Sequence, residues 1–424
     1  MIRRIMVAGG GTGGHLFPGL AVIEELRRRV PDLEVRFVGT ARGIEARILP
    51  DRGESLDLLT VTPLKGQGAS ARVGSLARIP SAMMAASRLI AGFAPDLVLG
   101  VGGYASGPVL LAASLRGVPT AVLEQNAHVG MTNRLLARFV DRAYITFDST
   151  ASVFGQKKAR LTGNPVRRDF VEHARRALAD PEGFEARAKT ILVLGGSQGA
   201  RALNQDVPAA LSHAGVDRRS VRVVHQTGAS MRDEVEARYN ELGIEAEVVT
   251  FIDEMARAFA GSVLVIARAG ATTLAELCAI GRPSILVPFP FAADDHQAKN
   301  AAALAERGAA LFVRESDLEP ETLGSMVTDL LDSPERRQTM AEAARAHGRP
   351  DAAASIVDDM IDWRGGPAVR ETDSVPPPAE VPPRGGSNNF GSVPAMALAP
   401  TALGWRAAAP RPRRPVVVDG AVWE

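Results

Sequence analysis

The sequence predicts an α/β protein built from two doubly wound parallel sheets, followed by a tail of different character. Three observations point there. Short apolar runs alternate with amphipathic helical stretches, the pattern of a parallel sheet with helices on its faces. Glycine-rich loops follow several of those runs directly, at 9–14, 100–107 and 195–199. The strand–glycine–helix pattern then restarts near residue 190, and 424 residues suit two domains plus extra segments better than one core.

In order, residues 2–8 read as a strand, 9–14 as a loop and 18–30 as a helix with Leu20, Val22, Ile23 and Leu26 on its apolar face. Residues 35–38, 97–99 and 120–123 read as further strands of the first half. The joint falls near 163–167, and a polar, Arg-rich connector runs to about 189. The second half begins with a strand at 190–194, a glycine loop at 195–199 and a helix at 200–211; strands follow at 221–225, 246–251, 263–267 and 284–287. The expected domains are 1–163, 164–363 (its last helix returning to the first domain) and a tail over 364–424. Pro376 to Pro378, Pro382, Pro383 and the 385–389 stretch leave that tail few core-forming residues, so it reads as disordered or weakly ordered. Its last apolar run, Val416 to Val418 with Trp423, reads equally as a partner-binding peptide or an unselected extension.

Bulk properties exclude some classes. A net charge of +1 carries no nucleic-acid signature. The single cysteine, Cys278, excludes an intrachain disulfide framework and sits in an apolar helical run, as a buried structural thiol would. The apolar stretch after Arg4 is too short for a signal peptide. Residues 97–115 lack charge and are long enough to span a bilayer, but Gly100, Gly102, Gly103, Gly107 and Pro108 make them strand, loop and helix start instead.

The chemistry concentrates at the strand ends. Gly9-Gly10-Gly11-Thr12-Gly13-Gly14-His15 contains a G-x-G-x-x-G, yet the second strand ends Val38-Gly39-Thr40-Ala41, without the carboxylate a dinucleotide ribose requires. The glycines still allow close backbone approach of a ligand at a helix N-terminus. His15 at that junction suits either a general base or a simple helix cap. A second loop carries Tyr104, and a third carries Ser197 and Gln198. The stretch from Arg268 to Glu276 follows a buried strand and opens a helix. Its backbone N–H groups at Ala271, Thr272 and Thr273 suit a diphosphate, and Glu276 one turn on suits a ribose diol; a capping box of Thr273 with Glu276 explains the same residues. The run Asp294-Asp295-His296-Gln297-Ala298-Lys299-Asn300-Ala301, directly after a strand, could meet a sugar or form a solvated loop. There is no D-x-D, no cluster with metal-ligand spacing and no P-loop, so no metal and no cofactor are expected. Leaving-group charge would then fall to helix dipoles and backbone donors.

Taken together, the loops at 10–15 and 102–108, Glu124-Gln125-Asn126 with Thr132-Asn133, Gly163-Asn164-Pro165-Val166-Arg167, the loop at 195–201 and Asp294-Asp295-His296-Gln297 resemble the MurG family over about residues 1–362. Its members are UDP-N-acetylglucosamine transferases that convert lipid I to lipid II. The resemblance implies a GT-B fold, two Rossmann-like domains facing a cleft, and an inverting, metal-free transfer. It implies donor contacts at Thr12, Gly13, Gly14, Asn126, Arg167, Ser197, Ile252, Gln297 and the run Ala271, Thr272, Thr273, Leu274, Ala275 and Glu276. The uracil would lie near Ile252. His15, Tyr104, Glu124 and Asn133 would lie near the acceptor sugar, with His15 as base and Glu124 orienting it or acting in its place. Ala269 stands where some members carry a hydroxyl residue. The implied partners are UDP-N-acetylglucosamine, lipid I, an anionic membrane surface met peripherally from the cytoplasmic side, and other cell-wall synthesis proteins, with no nucleic acid. Arg72, Arg78 and Arg88 interleave with Val73, Leu76, Ile79, Met83, Met84, Leu89 and Ile90, which suits either a lipid-binding surface or a helix packed on its own domain. The competing functions are a UDP-sugar 2-epimerase, a dehydrogenase disfavoured by Val38-Gly39-Thr40, and a non-catalytic nucleotide-sugar sensor or scaffold.

Overall fold

A parallel strand covered by helices on both faces has no wet side, so its sequence runs apolar without alternation. The strands at the middle of both sheets obey this rule. The structure, a computed structural model, describes residues 2–61, 79–196 and 199–365. The first half runs β1 (Arg4–Gly9), α1 (Gly13–Arg29), β2 (Glu34–Gly39), α2 (Glu45–Asp51), β3 (Leu56–Leu58), α3 (Ile79–Phe93), β4 (Leu97–Gly102), α4 (Ser106–Leu115), β5 (Thr120–Glu124), α5 (Met131–Leu136), β6 (Arg142–Ile145), α6 (Ala151–Phe154) and β7 (Ala159–Leu161). The second runs α7 (Arg168–Ala179), α8 (Pro181–Ala186), β8 (Thr190–Leu194), α9 (Arg201–His213), β9 (Arg222–Gln226), α10 (Arg232–Glu241), β10 (Ala246–Val249), α11 (Met255–Ala260), β11 (Ser262–Ala267), α12 (Ala271–Ile280), β12 (Ser284–Leu286), α13 (His296–Ala305), β13 (Leu311–Phe312), α14 (Pro320–Asp332), α15 (Pro334–His347) and α16 (Ala352–Trp363).

The first sheet has seven strands in the order β3-β2-β1-β4-β5-β6-β7, and the second has six in the order β10-β9-β8-β11-β12-β13. Each strand pair in both sheets is parallel. The two predicted α/β halves are therefore present, with the same winding. In such sheets ligands bind beyond the carboxyl ends of the strands where the order reverses. The reversal lies between β1 and β4 in one half and between β8 and β11 in the other. The glycine loops and the 268–276 stretch leave from those strand ends.

Several elements differ from the sequence reading. The connector predicted over 168–189 is two helices: Phe170, Ala174 and Ala177 form the buried face of α7, and Phe184 is buried in α8. Arg282, fully buried, donates to Glu185 Oε1 at 2.9 Å and stacks on Phe184, tying α8 to the second core. The short strands β3, β6, β7 and β13 were not anticipated. The predicted strand over 246–251 stops at Val249. The chain crosses back after α15, and Ile356, Val357 and Met360 of α16 join the core built on Ile5, Val22, Ile23 and Leu26 of the first half. Asp359 on that helix accepts from Tyr144 Oη at 2.9 Å and Arg160 Nε at 3.1 Å.

Among the described residues no helix is long and apolar enough to cross a membrane. Arg72, Val73, Leu76 and Arg78 lie outside the described residues. In α3, Ala82, Ala86, Ile90 and Phe93 are buried against the first half, while Met84 and Arg88 are exposed. Cys278 is buried, and burial pushes its thiol up to about 12, as befits a structural residue. The tail expected over 364–424 lies outside the described residues beyond Gly365.

Candidate active site

The first glycine loop and the second meet backbone to backbone. Gly10 N donates to Gly102 O at 3.1 Å, and a Cβ on Gly103 would sit 2.5 Å from Gly10 O. Only glycine permits that approach. Thr12 is the exposed N-cap of α1, and Gly13 and Gly14 form its first turn, which has no side-chain cap and no acidic residue. The N–H groups of that turn stay available to an anion.

His15 follows on α1, its imidazole against Gly102. Its Nδ1 lies 3.2 Å from Gly10 O and 3.3 Å from Thr12 Oγ1. A carbonyl oxygen only accepts, so Nδ1 carries the proton and Nε2 keeps its lone pair. Burial holds the imidazole below its usual pKa, the Gly10 carbonyl opposes this, and the nearby charges of His296 and Glu45 act in opposite directions. His15 is thus neutral at pH 7 and able to accept a proton.

Glu124 ends β5 and is buried. Its Oε1 accepts from Asn126 N at 3.1 Å and Asn126 Nδ2 at 3.4 Å, and its Oε2 from Gly130 N at 3.1 Å and Asn133 Nδ2 at 3.0 Å. Burial raises its pKa and these donors pull it back. The carboxylate is engaged in shaping the 124–133 loop, and none of these bonds goes to His15. Asn133 is buried beneath that loop and also donates to Leu123 O at 3.1 Å. Tyr104 is exposed on the second glycine loop.

In the second half α12 starts at the end of β11. Gly270 is its N-cap, with no side-chain cap and no acid in the first turn. The buried Thr272 Oγ1 has no hydrogen-bond partner, and a Cβ on Gly14 would lie 3.9 Å from it. The uncapped N-termini of α1 and α12 therefore face one another across the cleft, with an unpartnered hydroxyl between them. Ala271, Thr273, Leu274 and Ala275 complete the turn, Leu274 being buried in the core. Glu276 is 6% exposed and accepts from Arg167 Nη2 at 3.2 Å. Burial pushes its carboxyl up to about 7, with Arg167 opposing and Asp169 adding to the rise. Arg167 lies on the first crossing between the halves and stacks on Phe170.

Around this centre, Ile252 N donates to Gln226 Oε1 at 3.1 Å, while Gln226 Nε2 donates to Gly196 O at 2.8 Å. The buried Gln226, which the sequence reading did not single out, thus fixes the Ile252 loop against the third glycine loop. Ser197 and Gln198 of that loop lie outside the described residues. Gln297 Oε1 accepts from Phe289 N at 3.0 Å. Asp294 and Asp295 before α13 take left-handed φ of +56° and +54°, strained for non-glycine residues.

Two further residues take roles the sequence did not show. Asn300 of α13 is fully buried, receives Ala127 N on Oδ1 at 2.8 Å and donates to Asn126 Oδ1 at 3.1 Å, so Asn126 is a bridge between the halves. Asn300 Nδ2 also reaches Ala269 O at 3.4 Å, a backbone contact that makes no use of the Ala269 side chain. Glu45 is buried under the first glycine loop. The bonds of Asn300 to Asn126 and Ala127, and of Glu45 to Gly11, join residues distant in sequence and so leave no local signal. Among the described residues no group of His, Cys, Asp and Glu is arranged to hold a metal ion.

The geometry agrees with what the chain is similar to. The glycosyltransferase family 28 N-terminal domain matches residues 5–145 and the family's C-terminal domain matches residues 190–356. A UDP-N-acetylglucosamine–N-acetylmuramyl-(pentapeptide) pyrophosphoryl-undecaprenol N-acetylglucosamine transferase of Anaeromyxobacter dehalogenans is 49% identical over 84% of this chain and 91% of its own. The crystal structure of Acinetobacter baumannii MurG superposes with a TM-score of 0.69 at 31% identity, covering 85% of this chain and 99% of that one. A UDP-GlcNAc 2-epimerase from Neisseria meningitidis, 15% identical with a TM-score of 0.57 over 85% of this chain and 99% of its own, shares the fold alone. The chain belongs to the MurG family, within glycosyltransferase family 28.

Proposed function

We propose that this chain transfers N-acetylglucosamine from UDP-N-acetylglucosamine to the 4-hydroxyl of the N-acetylmuramoyl group of lipid I, with inversion and without a metal ion, giving lipid II for peptidoglycan. The observation that carries the reading is the pair of uncapped helix N-termini with the unpartnered Thr272 hydroxyl between them and Glu276 one turn beyond. The name borne by the Anaeromyxobacter relative supports the substrates.

In this reading the diphosphate lies against the N–H groups of Ala271, Thr272 and Thr273, with Gly13, Gly14 and Ser197 beside it. The ribose diol donates to Glu276, the uracil stacks near Ile252, and Arg167 holds Glu276 in place. Asn126 and Gln297 meet the donor sugar, and Tyr104 meets the acceptor. His15 Nε2 removes the proton of the attacking hydroxyl as its oxygen bonds to the anomeric carbon from the face opposite UDP. The bond to the β-phosphate oxygen breaks, and the charge released there is met by the N-terminal dipoles of α12 and α1. Glu124 and Asn133 act by shaping the loop that presents Asn126. The enzyme works peripherally at the cytoplasmic face of the membrane, with Arg72, Arg78 and Arg88 meeting anionic lipid. Flotation with anionic liposomes checks this last part: binding that survives charge reversal of all three arginines contradicts it.

Incubation with radiolabelled UDP-N-acetylglucosamine and a lipid I analogue, with and without EDTA, tests the whole. The expected result is a disaccharide-lipid product at the same rate in both. A 2-epimer in place of that product overturns the transfer, and loss of turnover in EDTA overturns the metal-free mechanism.

A further inference from the structure

A base that works through Nε2 needs its Nδ1–H held, and here the acceptor is a backbone carbonyl, Gly10 O. That carbonyl belongs to the same peptide unit as the N–H of Gly11. The Gly11 N–H donates to Glu45 Oε2 at 2.6 Å. The peptide plane between Gly10 and Gly11 is thus bonded on one edge by a buried carboxylate and on the other by the imidazole of His15.

The setting is built for the carboxylate. Glu45 is 1% exposed, and its Oε1 accepts from Thr40 N at 2.9 Å and Thr40 Oγ1 at 3.0 Å. A Cβ on Gly10 would lie 2.3 Å from Oε2, one on Gly43 2.1 Å from Oε2, and one on Gly39 2.5 Å from Cγ. Glycines therefore form the cup that holds it. An acid at the start of α2 has an ordinary reading, favourable interaction with its own helix dipole. The dipole alone does not account for the bonds named above, which go to Gly11 and Thr40 rather than to the first turn of α2.

We propose that Glu45 is a positioning residue for the transfer, paired with His15 through the Gly10–Gly11 peptide. A negatively charged acceptor on the N–H polarises the peptide and strengthens its carbonyl as an acceptor, as hydrogen bonds in a chain reinforce one another. The relay holds His15 in the tautomer with Nε2 free and stabilises the imidazolium that forms when the hydroxyl gives up its proton. Groups acting on His15 from the packed elements are Glu45 on α2, the Gly10 carbonyl, and His296 at the start of α13, whose charge opposes that of Glu45. The proposal rests on His15 being the base.

The experiment compares Glu45→Gln, Glu45→Asp, His15→Ala and the double variant His15→Ala/Glu45→Gln in the transfer assay, with UDP affinity and thermal melting as checks on folding. For Glu45→Gln, kcat should fall about tenfold or more, short of the roughly 10⁴ that follows loss of the directly bonded carboxylate in a Ser-His-Asp triad. Donor KM should stay within about threefold, and the acid limb of the kcat–pH profile should move to lower pH, because losing the negative charge makes His15 a weaker base. The double variant should be no slower than His15→Ala, since residues acting as a unit are not additive. Glu45→Asp keeps the charge but is too short for the Gly11 bond, so kcat should fall while the acid limb moves less; it carries the test if the glutamine variant does not fold. Multiplied losses in the double variant, an unmoved acid limb in Glu45→Gln, or wild-type kcat in Glu45→Asp would overturn the pairing and leave His15 as base. An unchanged kcat in His15→Ala would remove the base reading itself.

Discussion

In the proposed reaction Glu276 serves binding and His15 serves chemistry, and burial moves an acid and an imidazole in opposite directions. Burial raises the carboxyl of Glu276 to about 7 and holds the imidazole of His15 below its usual value, because desolvation favours the neutral form of each. In the proposed donor site the ribose needs the ionised carboxylate of Glu276. Donor kcat/KM, which reports the free enzyme, should therefore fall as pH drops through about 7, and Glu276→Gln should abolish that limb. Glu276→Ala should raise donor KM by roughly ten- to a hundredfold, the value of about 1.5–3 kcal/mol for hydrogen bonds to a charged group; an unchanged KM would place the ribose elsewhere. His15→Ala should lower kcat by roughly 10²–10⁴, the span for a general base, with donor KM little altered. At this scale the sequence displayed residues whose neighbours in the chain are also their neighbours in space: His15 in its glycine loop, Thr272 and Glu276 on one turn. It did not display Glu45 or Gln226, or the bridging role of Asn300, because the partners Gly11, Gly196 and Asn126 come from other elements.

Strands and loops were legible where one physical demand dominates. β1, β4, β8 and β11 sit in sheet interiors, and their unbroken apolar runs ending near glycine announce them. β3, β7 and β13 are short and leave residues partly exposed, so no apolar run marks them. The helices over 168–186 were hidden because α7 buries small residues, Ala174 and Ala177, behind a screen of arginines. The glycine loops make a prediction of their own. A Cβ on Gly103, where φ is +84°, would lie 2.5 Å from Gly10 O. Gly103→Ala should displace the loop that bears on His15 and lower kcat more than it changes donor KM. An alanine variant with wild-type kinetics would contradict the close packing of those loops.

Both sheets share one winding order, which puts a candidate site at the switch point of each, and Gly14 beside Thr272 brings those two points together. The two halves are joined by Asn300 with Asn126 and Ala127, and by the return of α16 to the first half. Asp359 fastens that return by bonds to Tyr144 and Arg160. Removing it leaves those donors partly buried without an acceptor, so Asp359→Ala should cost about 1–3 kcal/mol in urea unfolding; a loss below about 0.5 kcal/mol, the range of neutral surface changes, would show that α16 is held by its apolar face alone. The restart of the strand–glycine–helix pattern made the two halves readable in advance. The closeness of Gly14 to Thr272 was not, because it depends on how the halves are set together.

The central claim is that the amide-rich start of α12 takes the UDP pyrophosphate without help from a cation. A crystal structure of the enzyme with UDP tests it most directly. The account predicts phosphate oxygens within hydrogen-bond distance of the Thr272 and Thr273 N–H groups and of Thr272 Oγ1, with Glu276 on the ribose. A pyrophosphate lying away from that turn, or bound to protein through a metal ion, would contradict it.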